Sequence, residues 1–304
     1  MTLPRPFDLE RPATLGEAAD LLRRMDGESV LYAGGTELLI LLKQRAVRPR
    51  SLIDLKRIAG LGDIEATPER LVIGATVTHR GLERAPAVVA GWPLVAHAVQ
   101  HVANIRVRNV GTVGGNLAFA DPHSDLGTLF MAFDAWVRLV SAAGAREVPL
   151  DDLVRGPYET VRRADEILTA VSLRRWPENA VGAYLKFGLY ERPTVTVAVG
   201  LVLDAARPAV RDARVIVGSV GPRPVRLGAA ERAITGEALT HLPRRLGEIA
   251  ATATEDIETT ADLHGARDYK RELARVCVRR ALGVATARAL GEKVDERHSH
   301  TIIV

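Results

Sequence analysis

Arg108-Asn-Val-Gly-Thr-Val-Gly-Gly-Asn116, followed directly by Leu-Ala-Phe-Ala-Asp-Pro-His-Ser-Asp125, is the most informative stretch of the chain. Its first part concentrates glycine, asparagine and threonine in a few positions. Such a loop presents many hydrogen-bond donors over a short distance, which suits a bent diphosphate. Asp125 at its end either caps the next helix or hydrogen-bonds to a ligand. The stretch therefore predicts a nucleotide-binding turn or, failing a ligand, a tight structural one.

A second glycine-rich segment, Tyr32-Ala-Gly-Gly-Thr-Glu37, lies between a predicted strand at 29–33 and a predicted helix at 37–44. Paired glycines let the backbone turn sharply and approach a ligand closely. The amides of Gly35, Thr36 and Glu37 are expected at a helix start, where unpaired donors favour phosphate. The alternative is a strand–helix turn without a ligand. Taken together, the two segments predict a site that binds a diphosphate between them.

Several common enzyme signatures are missing from the sequence. No Gly-Lys dipeptide is present, so a Walker A loop is excluded, and no G-x-G-x-x-G, HExxH or GxSxG motif occurs. The single cysteine, Cys277, excludes an internal disulfide framework and an iron–sulfur cluster held by this chain alone. We expect Cys277 to be an inert core thiol. His79 and His123 stand alone, which favours surface or capping roles and predicts no metal site.

The composition bounds the class of protein. The chain has 304 residues, 47% of them hydrophobic and 26% charged, which is typical of a globular protein of two or three domains. Apolar runs such as 197–203 fall short of the ~20 residues of a membrane helix. The N-terminus lacks a secretory signal, so we expect a cytoplasmic protein.

The net charge of +4 and the pI of about 9.4 raise the question of nucleic-acid binding. The basic residues are scattered, however, and the few aromatic residues are not interleaved with basic runs. A surface that binds nucleic acid needs both features together. The sequence therefore predicts no nucleic-acid partner.

The pattern of elements changes along the chain. Alternating short helices and strands fill the first part, which we divide into subdomains at 1–57 and 58–178. Strands at 183–187, 195–203 and 210–217 then precede helices at 226–234, 244–255 and 268–290, which predicts an α+β domain over 179–291. We expect 292–304 to be a loose tail.

The two glycine-rich segments, with Asp121-Pro-His-Ser-Asp125, resemble those of the FAD-binding (medium) subunit of molybdenum hydroxylases. That family includes the medium subunit of aerobic carbon monoxide dehydrogenase and the flavin domain of xanthine dehydrogenase. The resemblance covers nearly the whole chain. It implies an α+β protein, with a two-part FAD-binding region of the PCMH/vanillyl-alcohol-oxidase type followed by a smaller α+β C-terminal domain.

The resemblance also implies which residues hold FAD. The two loops would hold the diphosphate, Asp125 would contact the flavin nucleotide, Leu168 would lie by the adenine, and Lys186 would approach the flavin ring. By its position alone, Lys186 reads as a surface lysine on a strand edge. Aromatic residues that could contact the flavin are Tyr32, Phe119, Tyr184 and Tyr190. The full set of expected FAD ligands is Ala33, Gly34, Gly35, Thr36, Glu37, Thr112, Gly114, Gly115, Asn116, Asp125, Leu168 and Lys186.

The implied function is electron transfer, with no catalytic residue in this chain. A large molybdopterin subunit would oxidise the substrate, a small subunit with 2Fe–2S clusters would pass the electrons to FAD here, and the trimer would double. Two alternatives are a free-standing FAD-dependent oxidoreductase and a binding module that has lost its flavin. The segment Glu191-Arg-Pro-Thr194 departs from the family pattern, which has a basic residue and an Arg-x-x-Asp-like stretch there.

Overall fold

The computed structural model describes residues 5–189, 191–294 and 298–304. The helices are α1 (Leu15–Arg24), α2 (Leu38–Gln44), α3 (His79–Arg84), α4 (Pro86–Gly91), α5 (Pro93–Val99), α6 (Ile105–Val110), α7 (Val113–Phe119), α8 (Asp125–Met131), α9 (Leu150–Leu153), α10 (Gly228–Ile234), α11 (Leu242–Thr254) and α12 (Arg267–Ala289). The strands are β1 (Asp8–Glu10), β2 (Ser29–Tyr32), β3 (Ser51–Asp54), β4 (Ile64–Ala66), β5 (Arg70–Gly74), β6 (Trp136–Ser141), β7 (Gly144–Pro149), β8 (Val154–Gly156), β9 (Glu159–Thr160), β10 (Ile167–Arg174), β11 (Ala180–Phe187), β12 (Val195–Leu203), β13 (Val210–Gly218), β14 (Val225–Arg226) and β15 (Thr301–Ile303).

The N-terminal sheet is small and parallel, in the order β1-β3-β2. Helix α1 begins after Thr14, whose hydroxyl accepts a hydrogen bond from the Glu17 amide at 3.1 Å and so caps the helix. Its buried face, formed by Ala18, Ala19 and Leu22, packs against the sheet and the neighbouring Ile58. The first glycine-rich segment leaves this sheet at the end of β2.

The second sheet is antiparallel, in the order β4-β5-β10-β6-β7. Strands β6 and β7 form a hairpin, with Trp136 opposite Pro149. Helices α3 to α8 cover the sheet and share its core, in which Trp92, Leu126 and Phe130 are almost fully buried. The second glycine-rich segment runs through this layer, between α6 and α8.

The third sheet, in the order β14-β13-β12-β11-β15, is buried on both faces. Tyr184, Ala198 and Ile216 are paired across the strands and pack into the core of the second sheet. The neighbouring row, which includes Leu185, Val197 and Val217, faces α10 to α12. This double burial explains why β12 is apolar at nearly every position, Thr196 excepted, rather than at alternate ones.

The α+β class predicted from the sequence is confirmed, with strands β11 to β14 preceding the helices α10 to α12. Cys277 is buried on α12, and burial raises the pKa of its thiol to about 12, as expected of an inert core thiol. No helix among the described residues is both long and apolar enough to cross a membrane.

The expected loose tail is wrong for the last residues of the chain. Thr301–Ile303 forms strand β15, which pairs with β11, and Val304 exchanges backbone hydrogen bonds with Tyr184 at 2.8 and 2.9 Å. An open strand edge carries unpaired amides and carbonyls, and the apolar Ile302-Ile-Val304 end is able to satisfy them. Residues 295–297 lie outside the described chain.

Candidate functional site

A cleft of about 740 Å³ lies where the two glycine-rich segments meet. We call residues 33–37 the first loop and residues 112–116 the second loop. They are in direct contact at Gly34, where a Cβ atom would lie 3.0 Å from the amide nitrogen of Thr112 and 2.3 Å from the carbonyl oxygen of Val110 just before it. Segments far apart in the sequence thus line one cleft, so the arrangement on which the nucleotide hypothesis depends is present.

The first loop offers free backbone donors to the cleft. The amides of Gly35, Thr36 and Glu37 have no acceptor among the residues that the structure describes. Gly35 has a φ of +72°, a left-handed conformation that glycine adopts without strain and that turns the chain from β2 into α2. Adjacent unpaired amides of this kind can bind an anion.

The second loop differs, because four of its five amides already donate to acceptors inside the chain. The amides of residues 113–116 donate to acceptors on Val77, Ala75 and Thr112. Thr112 is the N-cap of α7 and accepts from the Gly115 amide at 3.1 Å. The expectation of free backbone donors in both loops is therefore wrong for the second loop, whose polar side chains and exposed Gly115 face the cleft instead.

Glycine is required in the two loops for different physical reasons. A Cβ on Gly114 would meet Ala75 at 2.5 Å, so Gly114 is required for α7 to pack on the segment after β5. Gly34 is required for the contact between the loops. Chain packing alone therefore accounts for glycine at these two positions, with or without a ligand.

Asp125 lies at the start of α8 and is buried at the inner end of the cleft. Its two carboxylate oxygens accept from Tyr184 Oη at 2.7 Å and from Lys186 Nζ at 2.9 Å. Both donors come from β11, and Lys186 also donates to the carbonyl oxygen of His101. Asp125 makes no side-chain capping bond, since Ser124 occupies the N-cap. Lys186 is a buried partner of Asp125 rather than a surface lysine.

The loop between β11 and β12, residues 188–194, covers one side of the cleft, although Tyr190 lies outside the described residues. Arg192 from this loop donates to both carboxylate oxygens of Glu37, at 2.9 and 3.1 Å. It also forms an ion pair with Asp121. No local pattern in the sequence indicates these contacts, because the paired residues are far apart in the chain.

Two histidines differ from their expected roles. His79 is buried below the cleft rather than exposed, and burial together with the charge of Arg108 lowers its pKa to about 4. Its Nδ1 atom has no partner among the described residues. His123 is neither a surface nor a capping residue: its Nδ1 lies 2.7 Å from the Pro193 carbonyl oxygen, and its Nε2 lies 2.9 Å from an Asp262 carboxylate oxygen.

All the residues expected to bind the cofactor, except Lys186, line the cleft. Lys186 lies behind Asp125 instead. Among the aromatic candidates, Phe119 lines the cleft and stacks edge-on with Tyr158, whereas Tyr184 is fully buried under Asp125. Lys56 covers the ring of Tyr32 at 3.7 Å. Within the described parts of the chain, no cluster of metal-ligating side chains is present.

Fold and cleft together define a protein with a ligand-binding region of two facing loops joined to an α+β domain. Residues 5–176 match the family described as the FAD binding domain in molybdopterin dehydrogenase. Residues 191–285 match the CO dehydrogenase flavoprotein C-terminal domain. The chain therefore belongs to the family of FAD-binding subunits of molybdenum hydroxylases, and it is an oxidoreductase flavoprotein.

Curated relatives and solved structures agree with this assignment. The nicotine 6-hydroxylase medium subunit of Paenarthrobacter nicotinovorans is 32% identical over 91% of this chain and 96% of its own length. The carbon monoxide dehydrogenase medium chain of Hydrogenophaga pseudoflava is 32% identical over 94% and 99%. A structure of carbon monoxide dehydrogenase from Hydrogenophaga pseudoflava, lacking the Mo-pyranopterin moiety, matches with a TM-score of 0.89 and 33% identity, covering 94% of this chain and 99% of that one.

The residues of the cleft fit FAD on structural grounds. The volume of about 740 Å³ lies within the range of about 300–1,000 Å³ that small-molecule sites occupy. The first loop supplies unpaired amides for a diphosphate, and Gly115 leaves the opposite wall free of a Cβ. The buried Nδ1 of His79 is an unsatisfied polar atom beneath the same cleft.

Proposed function

We propose that this chain is the electron-transfer subunit of a molybdenum hydroxylase complex, taking electrons from 2Fe–2S clusters of a partner subunit and delivering them to an external acceptor. Bound FAD supplies two-electron chemistry that can also proceed in single-electron steps. The observation that carries the proposal is the single cleft in which free amides of the first loop face the second loop.

The residues of the chain have distinct roles in this proposal. The amides of Gly35, Thr36 and Glu37 hold the diphosphate, with the Thr36 hydroxyl as a further donor. Asn116 faces them from the second loop, its side-chain oxygen accepting from Ser124 Oγ at 2.6 Å. Leu168 lies on β10, and we place it beside the adenine.

Asp125 and Lys186 form a buried charged group at the inner end of the cleft. Because Tyr184 and Lys186 each donate to one of its carboxylate oxygens, Asp125 is held in a fixed orientation. We assign to this carboxylate a contact with the flavin nucleotide. Lys186 then supplies positive charge behind it, which favours electron density arriving on the ring.

The partners in this proposal are a large molybdopterin subunit and a small subunit carrying the 2Fe–2S clusters, in a dimer of heterotrimers. Support comes from the medium-chain names of the relatives and from their coverage of nearly the whole chain. A cytoplasmic location is proposed because the single thiol is free and buried.

The test is to isolate the tagged full-length chain from its own host and to measure FAD, iron and molybdenum in the product. We expect a flavin spectrum, together with iron- and molybdenum-containing chains in fixed ratio. A flavin-free product would contradict the FAD site. A flavin-loaded chain that carries no partner and oxidises a substrate by itself would favour the free-standing oxidoreductase.

A further inference from the structure

The cleft presents an electrostatic problem for an anionic ligand. Glu37 lies in the first loop and Asp121 follows the second, and both line the cleft. A diphosphate bound by the loops carries negative charge at neutral pH, and unscreened carboxylates beside it would repel it. Anion binding at this place therefore requires that the two carboxylates be neutralised.

One side chain pairs with both of them. The Arg192 guanidinium contacts the Glu37 carboxylate with one terminal nitrogen, at 2.9 and 3.1 Å, and the Asp121 carboxylate with the other. It thereby joins the first loop to the segment after the second loop. Since Asp125 is paired separately with Lys186, both counter-charges come from the C-terminal domain.

The position of Arg192 is set by the contacts of its neighbours. The Thr194 amide donates to the carbonyl oxygen of Phe187 at 2.8 Å, which closes the β11–β12 loop. Glu191 accepts from the Asn104 side-chain amide at 2.9 Å. The carbonyl oxygen of Pro193 lies 2.7 Å from His123 Nδ1. The loop on both sides of Arg192 is thus attached to the FAD-binding region.

We propose that Arg192 is a determinant of FAD affinity, because it neutralises Glu37 and Asp121 and so lets the cleft accept the diphosphate. It is a positioning and charge-compensating residue supplied by the C-terminal domain, and no electron passes through it. The proposal rests on the FAD site described under the proposed function.

The first measurement is the FAD dissociation constant of the flavin-stripped full-length chain, followed by quenching of flavin fluorescence. We expect Arg192→Gln to bind FAD about tenfold more weakly at about 0.05 M salt, because two carboxylates then face the diphosphate. At about 1 M salt the Debye length falls to about 3 Å, and the difference from wild type is expected to shrink to less than threefold.

A rescue experiment separates charge compensation from direct contact or a structural role. Adding Glu37→Gln and Asp121→Asn to Arg192→Gln is expected to return the FAD dissociation constant to within twofold of wild type, because no carboxylate of the pair then faces the diphosphate. A triple variant that binds FAD as weakly as Arg192→Gln, or a loss that high salt does not reduce, would overturn the proposal. Removing the carboxylates would not restore a lost direct contact or a lost structural role of Arg192.

Two controls make the result specific. Arg211→Gln removes an exposed arginine from the same domain, in a separate groove, and is expected to leave FAD affinity unchanged. Thermal midpoints of all variants report whether the chain remains folded. If the wild-type chain binds no FAD, the proposed function fails and this inference with it; if wild type binds and Arg192→Gln binds equally well, only this inference fails.

Discussion

The two loops of the cleft have nearly the same composition but opposite hydrogen-bond states. In the first loop, the amides of Gly35, Thr36 and Glu37 have no acceptor within the described chain, whereas those of residues 113–116 in the second loop all donate internally. Residues 113–116 of the second loop form the first turn of α7 and pack on Ala75, whereas the first loop follows the edge strand β2. Glycine-rich composition therefore does not by itself distinguish a ligand-binding backbone from a closely packed one.

This difference predicts where mutations act. Changes on the side of the second loop should lower the stability of the fold, and changes in the exposed donors of the first loop should lower affinity for FAD. The expected effects below run from the largest to the smallest.

The buried pair next to the second loop gives the largest effect. Lys186→Met would leave Asp125 as an unpaired buried carboxylate, since both side chains are only 6% exposed. We expect the free energy of unfolding to fall by about 3–5 kcal/mol, measured by urea denaturation. Adding Asp125→Asn should recover most of the loss. If Lys186→Met alone is as stable as wild type, the pair does not stabilise this side of the cleft.

His79 makes the stability of the second-loop side depend on pH. Its pKa is lowered from 6.5 to about 4, so the unfolded chain binds the additional proton between these values. The free energy of unfolding is therefore highest above pH 6.5. It falls as the pH decreases toward 4, by about 3 kcal/mol in all from His79.

The measurement is the free energy of unfolding against pH for wild type and His79→Gln. The variant curve should be flatter in this interval, since carboxylates elsewhere contribute equally to both proteins. Parallel curves would mean that His79 does not carry the dependence.

Adding a single methyl group at Gly34 should disturb the contact between the loops. In Gly34→Ala, the new Cβ would lie 2.3 Å from the Val110 carbonyl oxygen, so the backbone must shift. We expect a loss of about 1–3 kcal/mol in unfolding free energy and weaker FAD binding. Gly91→Ala is the matched control, because nothing lies within 4 Å of its Cβ. Equal stability of the two variants would contradict the close contact.

The smallest effects compare one threonine from each loop. Thr36→Val removes a hydroxyl that faces the cleft, and we expect FAD affinity to fall a few-fold, as for one hydrogen bond of about 0.5–1.5 kcal/mol. The unfolding free energy should stay unchanged.

Thr112→Val removes an N-cap instead, because the Thr112 hydroxyl accepts from the Gly115 amide. This variant should lose about 1 kcal/mol of stability. Calorimetric titration with FAD measures the affinity of both variants, and thermal denaturation measures their stability. If both variants lose stability alike, the proposed difference between the loops is wrong.

Several helices and strands depend on local features of the sequence. Thr14 caps the start of α1, and the hairpin between β6 and β7 turns through small residues, so both features depend on residues close together in the sequence. The helix α7 was missed because glycines at positions 114 and 115 indicate a turn, and the packing on Ala75 that favours the helix is not local.

The composition and the motifs of the sequence determined the α+β class and the family, because these depend on residue types at short spacing. Only the tertiary structure decided which amides are free, that Lys186 pairs with Asp125, and that Arg192 reaches Glu37 across 155 positions of sequence. The physical reason is the distance along the sequence over which each kind of interaction acts. Propensity and capping act within a few residues, whereas hydrogen-bond partners and counter-charges are set by whichever segments folding brings together.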